Sequence, residues 1–134
     1  MLLNILLPAA DPGIALFYEL AAITAVLLFL LIVITEATAM QWIGWDRWNG
    51  CLKASLIMNL ASVLPVILLV IIAIRWGLAG IALAWLVSVL VEGAILKVLK
   101  RGEPRPHWLA AFAANLSSYL IILLPAYLIG VPHV

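Results

Sequence analysis

With 68% hydrophobic and 10% charged residues over 134 positions, the chain is too apolar for an ordinary soluble domain, which runs roughly half apolar and a quarter charged. The net charge of +1 carries little information, but the charges are segregated: none lies between Lys53 and Arg75, and none follows Arg105. The single cysteine, Cys51, excludes an intrachain disulfide and a multi-cysteine metal site.

The chain begins "MLLNILLPAADPG". It lacks the basic flank of a signal peptide, and its apolar run is short before Pro8. Residues 1–13 are expected to form a lead-in, with Asp11 capping a helix whose first position is Pro12. A bilayer core needs about 20 apolar residues per helix. Ile14–Ala39 is the first stretch that fits. The loop after it, "WIGWDRW", spaces Trp42, Trp45 and Trp48 three apart, which predicts a short interfacial helix with its indoles at headgroup level.

Leu52–Ile74 is the second expected span. "RWGLAG" (Arg75 to Gly80) then reverses the chain so tightly that the second and third spans are antiparallel neighbours. Leu78–Lys97 is the third, carrying a stripe of Gly80, Ala84, Ser88 and Glu92 at every fourth position. The next loop, "KVLKRGEPRPH", holds Lys97, Lys100, Arg101 and Arg105, which attract anionic lipid headgroups or a partner subunit. Trp108–Ile129 completes the set. The expected fold is an all-α integral membrane bundle of four transmembrane helices, with residues 14–134 forming one domain.

Basic residues gather on the first and third loops, while Arg75 stands alone on the opposite side. Cytoplasmic loops carry the Lys/Arg excess, so the chain is expected in the cytoplasmic (inner) membrane with both termini outside the cytoplasm and the first and third loops in it.

Two apolar stretches, "LIMNLAS" (Leu56 to Ser62) and "FAANLSS" (Phe112 to Ser118), carry an asparagine and a serine three residues apart. Shifting the chain by 56 residues superposes Asn59 on Asn115, Ser62 on Ser118 and Glu36 on Glu92, in a sequence with only four Glu and four Asn. Polar coincidences of this kind point to duplication of a helical hairpin, residues 14–74 and 75–130, as a parallel repeat about an axis normal to the membrane. Within each copy an acid and an Asn-Ser pair fall at similar depth on consecutive helices. Glu36, Asn59 and Ser62, and likewise Glu92, Asn115 and Ser118, are expected to form a polar clasp or an ion site, each acid meeting the donors of its own copy.

No motif for a catalytic base, phosphate loop or metal site occurs, and no enzyme activity, cofactor or nucleic-acid partner is expected. The leading functional expectation is a small non-catalytic accessory subunit, packed among lipid and other integral membrane subunits. The alternative is a small oligomeric transporter or channel that uses Glu36 and Glu92, with Asn59 and Asn115, as an ion- or proton-responsive site.

Overall fold

The computed structural model of the chain describes residues 12–101 and 104–130, all of whose regular structure is helical. The lead-in up to Asp11 and the side chains of Arg75 and Arg105 lie outside the described residues. Four helical rods run in order: α1 (Pro12–Trp42), α2 (Trp48–Trp76), α3 (Leu78–Leu99), and a fourth built from α4 (Pro104–Ser118), a π-helical segment (Tyr119–Leu123) and α5 (Leu124–Gly130). Two stretches, Gly13–Trp42 and Leu78–Leu99, are long and apolar enough to cross a membrane.

The chain separates into two units, one ending at Leu31 and one starting at Ile32. In the first, residues 13–31 are almost entirely exposed, from Phe17 at 68% to Leu28 at 44%, with only Ala15 and Phe29 half-buried. Large apolar side chains point to every side of this stretch, as they do on a helix surrounded by hydrocarbon.

The second unit holds the packed core. Five alanines (Ala37, Ala54, Ala110, Ala111 and Ala114) sit in it beside Met40, Cys51, Met58 and Leu96. Small side chains let helix backbones approach closely, and the methionines fill the irregular gaps that remain. Gly80, Ala84, Ser88, Glu92 and Leu96 form the buried face of α3. Gly93 faces the Trp108 ring, where an added Cβ would overlap the indole.

The connections follow from a few residues. Gly77, at φ 56°, is the whole link between α2 and α3. Its left-handed φ is cheap only for glycine. Pro104 and Pro106 fall in the first turn of α4, where a missing N–H leaves no bond unmade.

The first loop is not helical. Gly44 (φ 75°) ends α1: its N–H donates to the Gln41 carbonyl at 2.9 Å, and the Trp45 N–H donates to the Met40 carbonyl at 3.0 Å. This pair of bonds is a Schellman closure, which folds the residue after the glycine back onto the last turn. Trp45 is therefore only 8% exposed and packs in the core with Met40, whereas Trp42 is 90% exposed. The short interfacial helix expected to carry Trp42, Trp45 and Trp48 is therefore not formed, and Trp45 turns inward.

Candidate functional site

Glu36 on α1 and Glu92 on α3 are each 2% exposed. Around Glu36, the Ser55 hydroxyl donates at 3.0 Å and the Asn59 amide at 2.5 Å to one carboxyl oxygen, and the Ser118 hydroxyl at 2.9 Å to the other. Around Glu92, the Asn115 amide donates at 2.6 Å to one oxygen, and the Ser62 hydroxyl lies at 3.5 Å from the other. The two carboxyl groups are close enough to act on each other electrostatically. Among the described residues, no basic side chain pairs with either.

Local helix geometry holds the donors in place. Each asparagine uses one amide N–H on its acid and the other on the carbonyl four residues back, Asn59 on Ser55 at 2.9 Å and Asn115 on Ala111 at 3.0 Å. Each serine also reaches the carbonyl three residues back, Ser62 on Asn59 and Ser118 on Asn115, both at 3.2 Å. An i−4 or i−3 anchor of this kind fixes the rotamer before the acid arrives, so less side-chain freedom is lost on contact.

The pairing differs from the expected one in a regular way. Each asparagine serves the acid 23 residues before it, on the preceding helix. Each serine crosses instead, Ser62 to Glu92 and Ser118 to Glu36. Three residues separate Asn from Ser along the helix, a rotation about 60° short of a full turn. Two side chains splayed by that angle on a helix packed between two others reach different neighbours. Ser55 completes the Glu36 shell and was not expected, because the residue 56 positions later is Ala111, so the repeat gives no hint of it. Its i−4 spacing from Asn59 was the available signal.

No family model matches the chain, and comparisons with curated proteins and solved structures found no match.

A second polar cluster lies at the loop end of the unit. The Trp45 indole N–H donates to His107 Nδ1 at 3.0 Å, and His107 is 3% exposed. Lys100 donates to the Trp45 carbonyl at 2.8 Å, pairs with the Asp46 carboxylate at 3.3 Å, and stands 4.9 Å from the centre of the Trp45 ring. The Arg47 backbone N–H, and after it the Lys100 ammonium, hold the Asp46 carboxyl below the usual aspartate range. Lys97 and Arg101 are exposed, and Trp48 is half-buried at the start of α2. Nothing in the spacing of Trp45 and His107, 62 residues apart, announces their contact.

Deeper along α3, Ser88 neighbours the Tyr119 phenol. Tyr119 opens the π-helical segment that precedes Pro125. An extra residue in a helical turn rotates the residues beyond it, and such bulges occur often at functional sites.

Proposed function

We propose that this is a four-span membrane protein built from a duplicated hairpin, and that Glu36 and Glu92 form the proton-exchanging site of a small transporter or channel. The supporting observation is the serine geometry. A hydroxyl has one proton and two acceptor lone pairs. Ser62 and Ser118 each sit between a carboxyl oxygen and a backbone carbonyl. Facing a carboxylate, the hydroxyl donates to it. Facing a protonated carboxyl, it turns its hydrogen to the carbonyl and accepts the acid's O–H. Both charge states are thus satisfied without moving a helix.

Two further points favour acids that titrate over acids that merely clasp. An ionised side chain within a spanning helix costs up to about 2.5–3.5 kcal/mol, the figure for the helix centre, and less for Glu36 and Glu92, which lie nearer the loop ends of α1 and α3; a glutamine would give the same clasp without that cost. The 2% exposure of each acid leaves no route for reaching headgroup water by extension of the side chain. Ser88 and Tyr119 extend the polar surface along the bundle beyond the acids. The basic first and third loops favour a cytoplasmic position for them, with both termini on the other side.

Reconstituted in liposomes carrying an internal pH dye, the purified protein is expected to pass or exchange protons under an imposed gradient. Glu92→Gln and Glu36→Gln should each abolish this while the protein stays folded. Infrared difference spectra should show a carboxyl band that is lost in the same variants. Wild-type liposomes no leakier than empty ones, with no titrating carboxyl band between acid and alkaline pH, would remove the reading.

A second reading, an accessory subunit of a larger membrane assembly, is favoured by residues 13–31, whose large apolar side chains are exposed on every side. It predicts co-purification with a stoichiometric membrane partner in mild detergent, and full tolerance of Glu92→Gln.

A further inference from the structure

A cavity of about 300 Å³ opens beside the first and third loops, lined by Gly44, Trp45, Lys100, Arg101 and His107 among others. We infer that it is a binding site for a phosphate group, most naturally the phosphodiester of a lipid headgroup. This stands apart from the glutamate pair and does not depend on proton exchange.

His107 forms part of the cavity wall. Trp45 has only an N–H to offer, so the Nδ1 it contacts must be the bare, accepting nitrogen. The ring proton of His107 is therefore on Nε2. That Nε2–H is buried and has no partner among the described residues. A buried donor left unpaired costs about 1–3 kcal/mol, and native structures seldom leave one without a water or ligand to accept it.

The cations at this cavity match such an acceptor. Lys100 has three N–H donors and uses two of them, on the Trp45 carbonyl and on Asp46. Its third is uncommitted. Arg101, exposed at the end of α3, makes no hydrogen bond among the described residues and offers the planar fork that suits phosphate oxygens. Asp46 offsets part of the Lys100 charge, so Arg101 supplies most of the net attraction. His107 lines the same cavity as Lys100 and Arg101, and a neutral imidazole N–H held in the wall beside a shared ammonium and a guanidinium suits an anion with several acceptor oxygens. The exposed apolar side chains flanking the cavity, Ile43 and Leu109, give an acyl chain a surface to follow.

The test uses the full chain in detergent, with native mass spectrometry for lipid and indole N–H resonances for inorganic phosphate. Phosphatidylglycerol is compared with diacylglycerol, which lacks the phosphate. His107→Asn places an amide oxygen where Nδ1 was and keeps the Trp45 bond, but it removes the Nε2–H. Arg101→Gln is at the surface and leaves the fold intact. Retention of phosphatidylglycerol over diacylglycerol, reduced at least tenfold by either change, supports a lipid source. Trp45 indole shifts with inorganic phosphate that vanish in both variants, without selective lipid retention, support the same site with a soluble source. Equal retention of both lipids together with no response to phosphate overturns the proposal, as does selective binding that survives Arg101→Gln and His107→Asn.

Discussion

Truncating the two asparagines should cost unequal amounts. Asn115→Ala removes the 2.6 Å bond to Glu92 and leaves that acid with the Ser62 hydroxyl at 3.5 Å, the outer limit of a hydrogen bond. Asn59→Ala removes the corresponding bond to Glu36, but Ser55 and Ser118 remain at 3.0 and 2.9 Å. Bonds to charged groups contribute about 1.5–3 kcal/mol in water-soluble proteins. Between membrane helices the average is about 0.6, with a maximum of about 1.7. Asn115→Ala should therefore destabilise by about 1.5 kcal/mol, near the upper end for bilayer helices, because it strands a buried acid. Asn59→Ala should cost about 0.5 kcal/mol, close to the average. Reversible unfolding in mixed micelles, titrated with a denaturing detergent, measures both. Asn115 is also the more deeply buried, so truncation opens a cavity there as well. A double-mutant cycle with Glu92→Met, which removes both acceptor oxygens at similar volume, separates the two effects, because the acid–amide bond is then absent from that arm of the cycle. Equal losses for the two asparagines, or a coupling between positions 92 and 115 below about 0.3 kcal/mol, would refute the reasoning.

Other outcomes follow from single contacts. Gly93→Ala should destabilise by about 1–3 kcal/mol, since the overlap is with a rigid indole and not a flexible chain end; quenching of Trp108 fluorescence in the same variant locates the strain. Gly77→Ala should cost about 1–2 kcal/mol, because a left-handed φ is forced on a residue with a Cβ; thermal unfolding in detergent reports it. The lowered pKa of Asp46 makes its contribution to stability complete above pH ~4 and lost as pH falls through the folded-state value. At this exposure the contribution is below about 1 kcal/mol and is weakened by salt; Asp46→Asn should flatten that acid limb in a pH titration of stability.

Helix count and approximate helix bounds were legible because long uncharged runs leave few alternatives. The boundaries moved outward by about a turn at α1, where Gln41 and Trp42 continue the helix as far as the Gly44 closure. Glu36, Glu92, Asn59 and Asn115 could be picked out because polar groups are scarce in so apolar a chain. The crossing of Ser62 and Ser118 was not legible, since it depends on how three helices meet and not on spacing along one. The inward turn of Trp45 was written in the chain as a glycine after the last helical residues, but the three-residue spacing of tryptophans gave a competing signal. His107 illustrates the limit. Its role depends on a partner on another helix, and no periodicity links them.

The exchange of serine hydroxyls has a consequence for assembly. Ser62 and Glu92 lie on either side of Gly77, as do Glu36 and Ser118. Neither half of the chain can satisfy its own acid completely. Fragments severed at that glycine and produced together should associate with each other, while either made alone would carry an acid short of one donor.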